Sequence, residues 1–362
     1  MIRVGIIGMG RSGCELHAAP LLKQDGYQVT AAADPSPRRR AEAERLFGAR
    51  TFERPEELIA SPDVDLVVVA SPSNVHRATT IAALEAGKHV VVEKPMATTL
   101  ADADAMLAAA ERSRGVLTAF HNRRFDRDYQ MVKRIVSEGR LGGLLNVASR
   151  VMTYGPEWAN YGVPEFDPQW RTKAAHGGGF LGDWGPHLVE QVLDLTGEWP
   201  VNVSAQLRSQ LWATEVEDYF DVRLTFPSGL VATLEASNNS RIPMPRWLVV
   251  GREGTLVADG RWGEWTSMRV RTQVAGAPAD ILPQDVGPSS GGRSMDVGEE
   301  LSAQFYADLR QAIEEGRPAA ITAARARDVV ALLDAARESH ARQQTVAAPA
   351  SRAGDGAVGR SA

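Results

Sequence analysis

Two places in the sequence carry the residue types that acid–base chemistry on an alcohol needs. Lys94 directly follows the apolar run His89–Val92 and one glutamate, and Asp183 and His187 stand four residues apart after three glycines. On a helix, residues four apart share a face, so the carboxylate would orient the imidazole and stabilise its protonated form. Such a pair suits a general base that takes a hydroxyl proton, and Lys94 would polarise the same oxygen or relay the proton.

Each of these residues also has a purely structural interpretation. A lysine at the end of a strand is often simply solvated, Asp183 suits a helix N-cap, and His187 suits a histidine hydrogen-bonded near that cap. Pro186 is compatible with the first turn of such a helix. Spacing alone leaves both interpretations of the pair open. Because no HExxH, GxSxG or Walker A sequence is present, and no other histidine shows metal-ligand spacing, we predict no metal site.

A glycine-rich turn near the N-terminus predicts a dinucleotide site. It follows an apolar strand, opens a helix and is followed about 20 residues later by an acidic residue, Asp34. The first glycine permits a tight turn, the second lets the backbone approach a pyrophosphate, and the third packs the helix on the sheet. A glycine turn that binds nothing is the alternative. The predicted cofactor contacts in this turn are Gly8, Met9, Gly10, Arg11, Ser12 and Gly13.

The residues after the second strand bear on the choice between NAD and NADP. Asp34 should accept hydrogen bonds from the adenosine ribose and repel a 2′-phosphate, which favours NAD. Arg38, Arg39 and Arg40 follow closely and could instead hold that phosphate, or they could form a solvated helix face. We therefore predict NAD, with Arg38 as a further contact and NADP as the alternative.

The first 123 residues alternate short apolar strands with helices, which is typical of a doubly wound parallel sheet, the Rossmann arrangement. Residues 124–345 read differently, because several strands alternate polar and apolar side chains, as in an antiparallel sheet with one wet face. We predict an α/β protein in which a Rossmann domain precedes an α+β domain with a large, mostly antiparallel open sheet. Residues 273–298 read as a loop and residues 346–362 as a disordered tail.

Composition excludes several classes of protein. The 362 residues suffice for two domains at about 100–200 residues each. With 40 basic and 45 acidic side chains the net charge is −5, which argues against a nucleic-acid partner. A single cysteine, Cys14, fits a reducing cytoplasmic setting. No apolar run reaches the ~18 residues of a membrane span, and we expect no signal peptide and no membrane partner.

Four segments resemble, in order over residues 1–345, the glucose–fructose oxidoreductase/inositol dehydrogenase family (Gfo/Idh/MocA). They are the N-terminal glycine turn, SPSNVH at residues 71–76, GKHVVVEKP at residues 87–95 and GGGFLGDWGPHLVEQ at residues 177–191. The segment HNRRFD at residues 121–126 looks like that of the scyllo-inositol dehydrogenase-like branch, and Trp170-Arg171 ahead of the glycines is also typical.

This resemblance implies hydride transfer between nicotinamide C4 and a secondary alcohol or ketone of a sugar or cyclitol. It also implies a homodimer or homotetramer formed through the C-terminal sheet. Lys94, Asp183 and His187 fall on the family's catalytic positions. Its cofactor-contact segments and its site near the nicotinamide fall on Ser71, Asn74, His76, Glu93, Lys94 and Arg123.

The segment Tyr154–Asp167 is the expected specificity loop, where aromatic side chains would stack on a sugar ring or merely pack on the surface. It includes Trp158, Asn160 and Tyr161. The predicted substrate contacts are Lys94, Arg123, Tyr154, Trp158, Trp170, Arg171, Asp183 and His187.

Two departures from the family pattern leave finer points open. Glu190 stands where the family usually has aspartate, and Asp34 differs from the small residue expected in the NADP-preferring inositol branch. Two other activities are alternatives: a glycoside hydrolase that oxidises a sugar transiently on tightly held NAD, and a non-enzymatic sensor of NAD(P) or sugar. The sensor would be expected to have lost Lys94 or His187, and the sequence keeps both.

Overall fold

A computed structural model describes residues 1–160, 166–242, 244–259, 269–275, 280–282 and 294–354. The chain divides into two compact units, and each is assembled from stretches that are distant in sequence. Unit 1 comprises Met1–Asn122, Ala159–Gly178 and Gly292–Val330. Unit 2 comprises Arg123–Trp158, Gly179–Gly291 and Ala331–Ala362.

Within the described residues, unit 1 holds a six-stranded parallel sheet of order β3-β2-β1-β4-β5-β6. Its strands are β1 (Ile2–Ile7), β2 (Tyr27–Ala33), β3 (Arg50–Phe52), β4 (Leu66–Val69), β5 (His89–Val92) and β6 (Leu117–Ala119). A π-helical turn, Ser12–Ala18, leads into the first of its helices, which are α1 (Ala19–Leu21), α2 (Pro37–Phe47), α3 (Pro55–Ile59), α4 (His76–Glu85), α5 (Leu100–Arg112) and α8 (Ser294–Glu315). This strand order confirms the predicted Rossmann fold.

Local sequence signals account for these elements. All four residues of β4 and the last three of β5 are buried and apolar, as in a parallel sheet covered on both faces. The Ser36 side chain caps α2 by accepting the Arg39 amide, and Gly48 ends that helix with a φ of 63°. The Thr99 side chain caps α5 through the Asp102 amide. The N-caps of α2 and α5 follow the last residues of β2 and β5, at the carboxyl edge of the sheet, where ligands bind in such folds.

The described part of unit 2 holds a nine-stranded sheet of order β14-β13-β12-β11-β7-β10-β9-β8-β15. Only the β7–β10 pair is parallel among these pairings, so the predicted large, mostly antiparallel sheet is confirmed. The strands are β7 (Leu144–Met152), β8 (Asn202–Arg208), β9 (Tyr219–Thr225), β10 (Val231–Ser237), β11 (Trp247–Gly251), β12 (Gly254–Asp259), β13 (Arg269–Val274), β14 (Asp280–Leu282) and β15 (Val346–Ala347).

One face of this sheet packs against a buried helix, α7 (Phe180–Thr196). Along β10 the buried residues Ala232, Leu234 and Ala236 alternate with less buried ones, as the pleat requires. Every residue of α7 from 184 to 193 is buried, so the helix is enclosed on all sides rather than amphipathic. The other helices of this part of the chain are α6 (Arg127–Ser137) and α9 (Ala323–Arg342), the latter beginning in unit 1.

Two sequence-based expectations differ from the structure. Residues 273–298 were expected to form a loop, but β13 extends to Val274, β14 occupies Asp280–Leu282 and α8 begins at Ser294. β14 has only three residues, too few to show alternation, and only the last two residues of β13 fall within the expected loop. The predicted disordered tail is wrong at Val346–Ala347, which pair with β8 and so form an edge strand. The remainder of the loop segment and residues 355–362 lie outside the described residues.

Candidate active site

Close backbone approaches shape the glycine turn after β1. Gly8 has a φ of 91°, and a Cβ there would lie 2.7 Å from the Ala70 carbonyl oxygen. A Cβ at Gly13 would lie 2.0 Å from the Gly8 carbonyl oxygen, so only glycine lets the helix start there. Gly10 differs, because no described atom lies within 4 Å of a Cβ built on it. Packing therefore does not explain Gly10, whereas close approach of a pyrophosphate does.

Asp34 anchors this turn to the end of β2. One carboxylate oxygen accepts the Met9 amide at 2.8 Å and the other accepts the Ser36 amide at 2.8 Å. Each carboxylate oxygen can accept a second hydrogen bond, so Asp34 retains capacity for ribose hydroxyls. Arg11 occupies the N-cap of the helical turn that follows and forms an ion pair with Glu15 at 3.2 Å. The turn thus presents backbone amides beside a fixed carboxylate.

The arginines that follow Asp34 have acceptors within unit 1. Arg39 contacts Glu42 at 3.0 Å, and Arg40 donates to the Asp34 carbonyl oxygen at 2.8 Å. Arg38 is exposed on the first turn of α2. The guanidinium groups of Arg39 and Arg40 are therefore engaged by oxygens of this chain, while the Asp34 carboxylate faces the turn.

The residues after β4 form the next part of the carboxyl edge. The Ser71 hydroxyl is buried without a hydrogen-bond partner among the described residues, so a bound ligand would satisfy it. Asn74 is exposed in the short helical turn Ser73–Val75. The buried ring of His76 has its two nitrogens 2.9 Å and 3.0 Å from the carbonyl oxygens of Ser71 and Pro95, and burial lowers its pKa. The His76 ring therefore lies between the chain segments that follow β4 and β5, and its contact with a cofactor stays a prediction.

Lys94 follows β5 and Glu93, and the Lys94–Pro95 peptide bond is cis. The Lys94 amide donates to one oxygen of the Glu93 carboxylate at 3.0 Å, and His17 Nε2 lies 3.3 Å from the other. Burial by itself would raise the pKa of Glu93, but the hydrogen bond with His17 and the charge of Lys94 lower it. Both oxygens of the Glu93 carboxylate therefore have partners within unit 1, and its contact with a cofactor stays a prediction.

The predicted acid–base pair lies on α7. Asp183 is in the first turn of this helix and His187 is one turn further on, so both share a face. Asp183 is therefore not the N-cap, and Pro186 stands in the second turn rather than the first. His187 is buried and its ring lies edge-on to Trp184, with ring centroids 5.8 Å apart. The helix fixes the spacing of the two groups.

The start of α7 is capped from outside its own sequence. Its N-cap is Gly179, with a φ of 111° and no side chain to accept from the helix amides. The Glu217 carboxylate, which precedes β9, accepts the Leu181 amide at 2.8 Å. A Cβ at Gly179 would lie 2.3 Å from that carboxylate, which explains the glycine. Burial raises the pKa of Glu217. Sequence reasoning missed Glu217 because it lies 36 residues away from its partner.

Arg123 lies against the same helix. Its guanidinium is 4.8 Å from the centre of the Trp184 ring and 3.3 Å from the Asp126 carboxylate. Its carbonyl oxygen accepts the Gln191 side-chain amide at 2.5 Å. Within unit 2, Asp183 and His187 therefore lie on α7, and Arg123 packs against the same helix through Trp184.

Asp126 is a buried carboxyl among charged neighbours, with 2% of its surface exposed. Burial and the nearby Asp128 raise its pKa to about 7, although Arg123 and Arg246 oppose the shift. Glu190, the departure from the family pattern, is also buried and pairs with Arg124.

We expect Asp126→Asn to remove a pH dependence of stability. The pKa of about 7 in the folded chain exceeds the ~4 of an unfolded aspartate. Stability from the protonated form is therefore fully present below about pH 4 and is lost as the pH rises through about 7. Relative to Asp126→Asn, the free energy of unfolding of the wild type should fall by roughly 2 kcal/mol from pH 5 to pH 8. Denaturant titrations at both pH values measure this. The free energy of unfolding of the control Asp63→Asn, an exposed site, should change with pH as that of the wild type does. A difference between wild type and Asp126→Asn that is the same at both pH values would contradict the assignment.

The aromatic residues predicted to contact a sugar lie in different environments. Trp158 is buried edge-on against Phe180, with centroids 5.1 Å apart. Tyr154 is 40% exposed, and Arg241 lies 3.9 Å above its ring. Trp170 is partly exposed, with its neighbour Arg171 lying 4.6 Å over its ring in unit 1. The side chain of Asn160 and all of Tyr161 lie outside the described residues.

No group of three or more histidine, cysteine, aspartate or glutamate side chains in the described ranges is arranged to hold a metal ion. The helices of those ranges also include none with the length and apolarity needed to cross a lipid bilayer.

Unit 1 is thus a Rossmann domain with a lysine at its carboxyl edge, and unit 2 is a sheet domain whose buried helix carries Asp183 and His187 one turn apart. Together they define a class of two-domain oxidoreductase. The family described as "Oxidoreductase family, NAD-binding Rossmann fold" matches residues 2–121, and the "GFO/IDH/MocA C-terminal domain" matches residues 129–257. The chain belongs to the Gfo/Idh/MocA oxidoreductase family.

Similar proteins extend over nearly the whole chain. The scyllo-inositol 2-dehydrogenase (NADP⁺) IolW of Bacillus subtilis (strain 168) is 30% identical over 355 residues, which is 95% of each chain. The crystal structure of an NAD-binding protein from Listeria innocua has a TM-score of 0.80 at 29% identity, covering 96% of this chain and 97% of that one. A levoglucosan dehydrogenase in complex with NADH and levoglucosan has a TM-score of 0.80 at 25% identity, covering 96% and 100%.

Proposed function

We propose that the protein is an NAD-dependent dehydrogenase that interconverts a secondary alcohol and a ketone of a sugar or cyclitol. The observation that carries the proposal is the Asp183–His187 pair, fixed one turn apart on the buried helix α7. The fixed Lys94 at the end of β5 and the sugar and inositol substrates named for similar proteins support it.

In the direction of oxidation, neutral His187 takes the proton of the substrate hydroxyl. Asp183 orients the imidazole and stabilises the imidazolium that forms. The Lys94 ammonium donates to the same oxygen and stabilises its negative charge as the proton leaves. When bound, NAD supplies the hydride acceptor. In the direction of reduction, His187 returns its proton to the carbonyl oxygen.

The residues that would hold NAD fit that cofactor. The pyrophosphate would approach the glycine turn beside Gly10, where a Cβ would meet no described atom within 4 Å. Asp34 would accept from the adenosine ribose hydroxyls, and its charge favours NAD over NADP. The unpartnered Ser71 hydroxyl and the exposed Asn74 would contact the cofactor further along the edge. A cytoplasmic homodimer or homotetramer formed through the nine-stranded sheet is part of the proposal, and light scattering after gel filtration tests its size.

A substrate screen tests the proposed function. Purified protein and NAD⁺ are mixed with one candidate alcohol at a time. The candidates are inositol isomers, aldoses, aldonates and anhydrosugars, and NADH formation is followed by absorbance. We expect alcohol-dependent NADH formation that Lys94→Ala abolishes. Cleavage of a glycoside without net NADH would instead identify the hydrolase. NAD or sugar binding without turnover of any compound would identify a sensor.

A further inference from the structure

A buried histidine of unit 1, His17, contacts the glutamate that precedes Lys94. His17 lies in the helical turn Ser12–Ala18 that opens at the glycine turn, and none of its surface is exposed. Its Nε2 is 3.3 Å from the Glu93 carboxylate and its Nδ1 is 2.6 Å from the Tyr306 hydroxyl on α8. The Phe120 ring covers it, with centroids 4.3 Å apart. Three segments of unit 1 therefore converge on one carboxylate.

Hydrogen-bond chemistry fixes the direction of this contact. An ionised carboxylate only accepts hydrogen bonds, so His17 Nε2 must carry a proton and donate it to Glu93. The second Glu93 oxygen accepts the Lys94 amide. In neutral His17, the Tyr306 hydroxyl donates to Nδ1, which fixes the tautomer that Glu93 requires. Both nitrogens of the ring are then used.

We propose that His17, supported by Tyr306, is a positioning residue that holds the Glu93 carboxylate ionised and so keeps a negative charge next to Lys94. The inference rests on the proposed function of Lys94. It also means that the helix opening at the cofactor turn and the strand end carrying Lys94 share one hydrogen-bond chain.

Because Glu93 is buried, the ionisation of its carboxylate depends strongly on the contact with His17. Burial disfavours its charged form, and the pKa is low only because His17 and Lys94 compensate. The groups facing Glu93 are His17 from the first helical turn, Lys94 from its own strand end, His76 from α4 and Tyr306 from α8. Both ring nitrogens of His76 contact carbonyl oxygens and not Glu93. His17 is therefore the side-chain donor on which the Glu93 carboxylate depends.

The pH profile of kcat/KM for alcohol oxidation tests the proposal. In the wild type, Glu93 is ionised across the assay range, because its pKa is lowered. In His17→Leu the pKa of Glu93 rises, so its protonation enters the range from the acid side. We expect the acid limb to move to higher pH by about one unit, with a steeper slope. His17→Gln keeps an amide donor and should restore much of the wild-type profile.

Matched variants separate this role from general packing. Tyr306→Phe removes only the hydroxyl that reaches His17, so a smaller shift of the same sign is expected; this variant carries the test should His17→Leu not fold. Tyr27→Phe is the control, because the Tyr27 hydroxyl donates to the Tyr306 carbonyl oxygen and not to His17. Its profile should match the wild type. In a Glu93→Gln background, His17→Leu should cause no further shift of the acid limb.

A direct titration distinguishes failure of this inference from failure of the proposed function. Glutamate labelled with carbon-13 at the side-chain carboxyl reports the protonation of Glu93 by NMR, whether or not any alcohol is turned over, and Glu93→Gln assigns the signal. A raised Glu93 titration in His17→Leu supports the inference. Overlapping wild-type and His17→Leu titrations, or an acid-limb shift that persists in Glu93→Gln, would overturn it. Absence of turnover in the wild type would count only against the proposed function.

Discussion

Lys94→Ala and His187→Ala should each lower kcat for alcohol oxidation by about 10²-fold or more, with NAD⁺ affinity nearly unchanged. His187→Ala removes the base that takes the hydroxyl proton, and Lys94→Ala removes the cation that stabilises the oxygen as it loses that proton. Binding should survive because the proposed cofactor contacts, the glycine turn and Asp34, lie on other elements. Steady-state kinetics and calorimetric titration with NAD⁺ measure the two effects separately.

Two further variants sharpen this test. Asp183→Asn keeps the size of the side chain but removes the charge that stabilises the imidazolium, so kcat should fall while substrate KM changes little. Lys23→Ala removes an exposed lysine after α1 and should leave turnover unchanged, which controls for surface charge. Near-normal turnover in both Lys94→Ala and His187→Ala would remove the proposed mechanism.

Asp34→Ser should raise the ratio of kcat/KM with NADP⁺ to that with NAD⁺ by about 10²-fold, equivalent to about 2.7 kcal/mol. The wild-type carboxylate would accept from the ribose and repel a 2′-phosphate, and serine does neither strongly. Arg38 remains exposed next to the site and would then meet the phosphate. Initial rates measured with both cofactors at saturating alcohol give the ratio.

Asp34→Asn is the matched control for the role of charge. Its amide oxygen can still accept the Met9 amide, so the glycine turn keeps its hydrogen bond to residue 34 while the negative charge is lost. An intermediate ratio would assign the discrimination to charge. If the wild type already prefers NADP⁺, as the name of the Bacillus subtilis relative specifies for that protein, the assignment to Asp34 is wrong and the arginines of α2 decide the cofactor.

Several elements could be read from the sequence with the bounds that the structure shows. The helix Pro37–Phe47 and the strand His89–Val92 are examples. Both are coded locally: Ser36 and Gly48 mark the ends of the helix, and an uninterrupted apolar run marks the strand. The strands β14 and β15 were missed because strands of three and two residues are too short to show a periodic pattern.

The candidate site divides in the same way. Spacing alone placed the glycine turn, Asp34, Lys94 and the Asp183–His187 pair, because their geometry is set by one turn of chain or one turn of helix. Tertiary structure alone showed that His76 and Trp158 are buried. It also revealed Glu217 at the start of α7.

By itself, the sequence determined the class of fold and the residues able to do chemistry, since both follow from local pattern. Only the tertiary structure decided which groups stabilise those residues. His17 is separated from Glu93 by 76 residues and from Tyr306 by 289, yet all three share one buried hydrogen-bond chain. The physical reason is that a buried charge must find its partners wherever packing brings them, and no local spacing records that choice.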